Sequence, residues 1–253
     1  MNETESTYLV RQSDKEHVQP LSLLWRINHV IPYLIGGTTF VAGSYQYLPS
    51  VSKYVLGGWL FTVGSTGFLY ADLNEWWMNN RVGCMFDSEY RNDFEHKMGK
   101  HFDPPSSFCG KYQRAENGMN FMLSVFGSLL YLIGSVLFIP SLGEIVEGTV
   151  IFIIGSAVIF IAQMWKLYRA GCTLPTRNTS NKYQQRVFEL KNLADDLPGV
   201  GVDLFAGLGG AAYFVGSYLF LPANAVTNAQ IELAATWFLS GGVLFTLSGV
   251  FLA

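Results

Sequence analysis

The sequence predicts an all-α polytopic membrane protein whose six transmembrane helices form three copies of one helical hairpin. Three observations lead there. Half of the 253 residues are hydrophobic and only 14% are charged, a balance suited to contact with lipid. Six apolar stretches, at 29–48, 55–77, 119–139, 149–167, 202–221 and 231–253, approach or exceed the ~20 residues that cross a bilayer. Those stretches come in pairs, each closed by a short tip marked with proline: Pro49-Ser50, Pro140-Ser141 and Pro222-Ala223.

Taken in order, residues 1–27 form a polar N-terminal segment. It carries Glu3, Glu5, Arg11, Asp14, Lys15 and Glu16 without a continuous apolar run, so no cleaved secretory signal is expected. Residues 28–78 are the first hairpin and 79–118 a charged connection. Residues 119–168 are the second hairpin, 169–201 a second connection, and 202–253 the third hairpin. The last span runs to Ala253 without a basic anchor, which is the expectation for a truncated end. Of the 16 Lys and Arg residues, only Lys53 lies at a tip. That asymmetry places the N-terminus and both connections in the cytosol and the tips on the far side. The sequon Asn178-Thr179-Ser180 falls in a cytosolic connection and is expected to stay unglycosylated.

The first helix of each hairpin ends in one phrase, G-S-x-x-[FY]-[LI]-P-[SA]. It begins at Gly43, Gly134 and Gly216, and another glycine precedes each by seven residues, at Gly36, Gly127 and Gly209. In the second helices Gly64-Ser65 and Gly155-Ser156 follow Gly57 and Gly148 at the same spacing, and the third copy offers Ala234-Ala235 and Gly241-Gly242. Seven residues is close to two helical turns, so each pair lies on one face. Small residues there let helix backbones approach where lipid provides no hydrophobic drive. Proline then stops the helix where the chain reverses.

On these residues the sequence resembles the YrhK-like family of small membrane domains, most closely in the middle copy, 132–169, with Gly155-Ser156 and Trp165-Lys166-Leu167-Tyr168-Arg169. The resemblance covers about fifty residues per copy and implies the two-helix hairpin fold. It implies no activity.

Asp72, Asn74 and Glu75 stand near the cytosolic end of the second span, where ionisable groups are expensive and mark functional candidates. Counted from the repeat glycines, Asp72 aligns with Gln163 and Glu75 with Lys166. Asp72, Glu75 and Gln163 therefore form a candidate ion or proton site. The alternative makes them interfacial groups that bond between hairpins beside Trp76 and Trp77. Thr38, Thr39, Gln46, Thr62, Ser65 and Thr66 make the first hairpin the most polar, either as a pore wall or oligomeric seam, or through hydroxyls bonded back to their own helix. Cys84 and Cys172 share the local phrase R-x-G-C just beyond a span, a place for S-palmitoylation or simply for repeated free thiols. Cys84, His96, His101 and Cys109 lack the close spacing of a zinc motif. His29 alone offers no haem-type pair.

The net charge of −3 does not point to a nucleic-acid partner. Glycines 199 to 210 lead directly into a span and lack the strand and Lys-Ser/Thr of a nucleotide loop. With no catalytic constellation and no cofactor motif, no enzyme is expected. The expectation is an accessory or structural subunit that packs among other integral membrane subunits or copies of itself. A small channel or transporter running along the first hairpin near Asp72 is the alternative, and a membrane sensor module a further one.

Overall fold

The computed structural model describes residues 23–80, 108–172 and 188–253. The N-terminal residues 1–22, the sequon, Cys84, His96 and His101 lie outside the described residues. The described chain is helical, with six long helices: α1 (Leu23–Gln46), α2 (Tyr54–Asn80), α3 (Phe108–Leu137), α4 (Ile145–Gly171), α5 (Leu197–Phe220) and α6 (Asn228–Leu252). Four segments are long and apolar enough to cross a bilayer: Gly118–Leu137 of α3, together with α4, α5 and α6. The helices α1 and α2 are as long but less apolar.

The helices extend past the apolar stretches that predict them. The polar start of α3, at Phe108, belongs to the predicted connection 79–118, and the start of α5, at Leu197, belongs to the connection 169–201. Hydropathy marks only the part of a helix that needs lipid, whereas backbone hydrogen bonding continues through polar turns. In the second connection a 3-10 helix, Leu190–Asp196, feeds α5, whose start is capped by Asp196 accepting from the Gly199 amide at 3.1 Å. Thr227 and Gln230 form a capping box at the start of α6. At the other ends, Pro49, Pro140 and Pro222 follow within three residues of Gln46, Leu137 and Phe220, where each first helix stops. Gly143, with φ +77°, completes the middle tip in the left-handed region open to glycine.

Each helix packs against the next in chain order, and α6 packs against α1, so the six close into a ring. The interior is aromatic. Phe40 of α1 meets Phe61 and Phe68 of α2, Tyr131 of α3, Tyr213 of α5 and Phe245 of α6, with centroids 5.1–6.1 Å apart. Nearer the tips, Phe61 contacts Phe138, one residue past α3, and Phe152, Tyr213 and Phe238 of α4, α5 and α6. These side chains are almost wholly buried. Aromatic rings thus fill the axis of the ring.

The glycines explain how so many rings fit. A methyl group on Gly57 would stand 2.5 Å from the Tyr47 ring, one on Gly43 2.8 Å from Phe61, and one on Gly64 2.5 Å from Phe40. The third pair repeats the arrangement, with Gly216 facing Phe238 at 2.7 Å and Gly241 facing Tyr213 at 2.5 Å. In the second pair Gly134 faces Phe152 and Gly155 faces Tyr131, each at 3.3 Å, and Gly127 faces Ile159 at 2.6 Å. Gly36 and Gly209 receive Phe68 and Phe245, and Gly148 meets the backbone of Phe138. Gly148 apart, each of these glycines is the seat for a large side chain from its own pair.

A second set of small residues, mostly the neighbours of the first in sequence, forms the seams between pairs. Gly37 and Gly242 bring α1 and α6 together, meeting the Thr246 and Val41 backbones at 2.7 Å. Gly58 faces Ile139 across the α2–α3 seam, and Gly210 faces the Ser156 carbonyl across α4–α5. Serines do the same work with hydrogen bonds: Ser65 to Ser135 at 2.7 Å, and Ser44 to the Tyr213 hydroxyl at 3.0 Å.

Candidate functional site

The axis changes character toward the helix ends opposite the proline tips. Beyond the layer of Phe68, Ile159 and Phe245, the positions one turn on are Asp72, Gln163 and Gly249. At these equivalent positions the first pair carries a carboxylate, the second an amide and the third no side chain. A cavity of about 20 Å³ lies at this level, with room for about one water. Its polar lining comes from Asp72, Ser124, Ser128, Gln163 and Tyr33.

The hydrogen bonds show which of these groups are committed. The Ser128 hydroxyl of α3 donates to the Asp72 carboxylate of α2. The Tyr33 hydroxyl shares a 3.1 Å bond with Ser248 of α6, which in turn donates to the Val202 carbonyl at 2.9 Å. Gln163 is only 8% exposed, and its Oε1 has no hydrogen-bond partner. Asn120 uses its amide nitrogen on the Ala162 carbonyl at 3.0 Å, and its Oδ1 is also without a partner.

One turn farther from the tips, Lys166 of α4 reaches Glu75 of α2 at 3.1 Å and lies 5.1 Å from the centre of the Phe121 ring. Asp203 of α5 and Asp72 of α2 also act electrostatically on Lys166. His29 is buried at the start of α1.

The aligned pairs of the sequence meet in space: Asp72 with Gln163 around one cavity, and Glu75 with Lys166 in an ion pair. Ser124, Ser128, Tyr33 and Asp203 are not among the residues that the sequence singles out. Ser128 carries a signal nonetheless, because it stands where the other first helices have Gly37 and Gly210. Asp203 also carries one, as an acid inside an otherwise apolar stretch.

The remaining candidates lie elsewhere. The threonines of α1 and α2 bond to their own helices, Thr38 to the Leu34 carbonyl at 2.8 Å and Thr66 to the Thr62 carbonyl at 2.8 Å, and none lines the cavity at Asp72. The repeat glycines lie inside the ring, where their small size is used by the chain itself. Cys172 is a half-buried free thiol at the C-terminal end of α4. There Phe188 returns to bridge Cys172 and stack on Tyr168 at 5.8 Å.

No protein-family model matches the chain, and no curated protein or solved structure matches it significantly.

Proposed function

We propose that the chain is a non-enzymatic integral membrane protein that serves as an accessory or structural subunit within a larger membrane assembly. In this reading all six helices cross the membrane as three hairpin copies of the YrhK-like kind. The N-terminus and both long connections are cytosolic. The observation that carries the reading is the aromatic filling of the ring, with Phe40 and Phe61 in contact across nearly its whole width. Such an interior favours a rigid body that presents an outer surface over one that conducts along its axis. The outer face of α1 and α2, carrying Thr38, Tyr45, Thr66 and Tyr70, is where the partner would sit. That partner is another integral membrane subunit or a second copy of the chain.

The test is extraction in mild detergent, followed by sizing and mass spectrometry of co-migrating proteins. A large particle with stoichiometric subunits is expected, and Asp72→Asn should leave it intact. A small particle holding this chain alone as a monomer would refute the packing role.

A channel or transporter is the second reading, favoured by the cavity at Asp72. It requires the aromatic layers to part, and it predicts that Asp72→Asn alters flux in reconstituted vesicles while assembly persists. We also propose that Cys172, with Cys84, anchors the connections by S-palmitoylation. Treating the native protein with hydroxylamine should then release about one acyl mass per modified thiol.

A further inference from the structure

Buried polar groups in a membrane helix bundle normally satisfy one another, because hydrocarbon offers no alternative partner. Asp72, Gln163 and the space between them break that rule together. The Asp72 carboxylate receives the Ser128 hydroxyl, but no cationic side chain among the described residues is at ion-pair distance, since Lys166 is engaged by Glu75. Gln163 lines the same cavity, is 8% exposed, and its buried carbonyl oxygen has no donor. Between them is a space of about 20 Å³, the size of one water or one bare ion.

We propose that this cavity binds a single dehydrated monovalent cation of sodium size, held by the Asp72 carboxylate, Gln163 Oε1 and the hydroxyl oxygens of Ser124 and Ser128. The donor set is entirely hard oxygen, which selects alkali and alkaline-earth ions over zinc or copper. Ser128 spends its proton on Asp72 and keeps its oxygen lone pairs for a cation. The charge count then chooses among the hard ions. One carboxylate lines the cavity, so a monovalent ion leaves the site neutral, whereas a divalent ion would strand an excess charge in a low-dielectric interior. Water would give Gln163 Oε1 its missing donor yet leave Asp72 without a counterion. A proton on Asp72 would remove the charge yet leave the cavity without an occupant.

The site is independent of the packing role. An ion here would tie α2, α3 and α4 together through Asp72, Ser124 with Ser128, and Gln163. The third pair contributes only Ala206 and the Phe245 ring at this level, so the site is specific to the first two hairpins.

The experiment is thermal unfolding of the purified full chain, followed by tryptophan fluorescence, in sodium, potassium or choline chloride at constant pH and ionic strength. Retention of radiolabelled sodium is measured on the same samples. Saturable stabilisation by sodium of about 5 °C over choline is expected, with potassium weaker and about one sodium retained per chain. Asp72→Asn and Gln163→Leu should each abolish both signals. Ser124→Ala, which removes one donor and little volume, should raise the sodium midpoint about tenfold and serves where the others fail to fold. Identical melting in sodium and choline with no retained sodium would overturn the proposal and leave water or a proton as the occupant. So would a sodium effect that survives Asp72→Asn and Gln163→Leu, or an unchanged midpoint in Ser124→Ala.

Discussion

In the first hairpin, as in the other two, glycine seats the large side chains of the partner helix: Gly57 takes Tyr47 just as Gly241 takes Tyr213. On the outside the hairpins part company. The outer faces of α3 to α6 are mostly aliphatic, as at Ile133, Val150, Ile154, Leu208, Val243 and Leu247, with Tyr168, Tyr218, Thr236 and Ser240 among them. Those of α1 and α2 mix Thr38, Tyr45, Thr66 and Tyr70 among their aliphatic residues, and Tyr70 donates to Asn28 at 2.9 Å. The difference separates two pressures on one sequence. Ring closure dictates the inward residues and treats all six helices alike, while the surroundings dictate the outward ones. Mean hydropathy averages both faces, and α1 and α2 are the less apolar helices of the same ring. The more polar outside of the first hairpin fits contact with protein rather than lipid alone.

The comparison breaks most visibly at the shared interior. Gly57→Leu and Gly148→Leu should be equally severe, each costing more than about 3 kcal/mol through overpacking against Tyr47 or the Phe138 backbone. Both should lose the monodisperse peak on size exclusion. Tolerance of one and not the other would mean that the first hairpin is packed differently after all.

Lys166→Met should cost about 2 kcal/mol by leaving Glu75 part-buried and unpaired, and adding Glu75→Gln should recover most of that loss. Melting temperatures of the singles and the double form the cycle, and an additive double would show that the pair does not couple α4 to α2. Ser65→Ala sharpens the seam between the first two hairpins. Losing its bond to Ser135 should lower stability by about 1 kcal/mol. The smallest stability effect, within about 0.5 kcal/mol, belongs to Tyr45→Ala and Val243→Ala on the outer faces. Only the Tyr45 change should reduce co-purification of partners. Equal retention in both variants would remove the distinction between the outer faces.

Much of this is legible in the chain because the signals are local and repeated. The proline tips and seven-residue glycine spacing give the hairpins, and counting along the chain from those glycines is enough to pair Asp72 with Gln163 and Glu75 with Lys166. What the glycines serve is not legible from their spacing alone. The informative pattern is glycine followed four residues later by a large ring, as in Gly36 to Phe40, Gly57 to Phe61 and Gly209 to Tyr213, because each glycine answers a ring from the opposite helix. Closure of the ring through Gly37 and Thr246 joins residues far apart in sequence, and neither residue departs from ordinary membrane-helix composition. Ser128 does not stand out because serine in a membrane helix usually bonds to its own backbone, as Ser135 does to Tyr131. The polar start of α3 reads as connection because its turns carry Lys111, Arg114 and Glu116.

The central claim, that the less apolar first hairpin crosses the membrane in the same sense as the other two, is tested most directly by labelling the tips. In a background with Cys84, Cys109 and Cys172 replaced by serine, Ser50→Cys, Ser141→Cys and Ala223→Cys are each treated with a membrane-impermeant maleimide in sealed cells or organelles. All three tips should react from the same, non-cytosolic side. Reaction at Ser141→Cys and Ala223→Cys from that side, with Ser50→Cys reacting only once the membrane is opened, would contradict it.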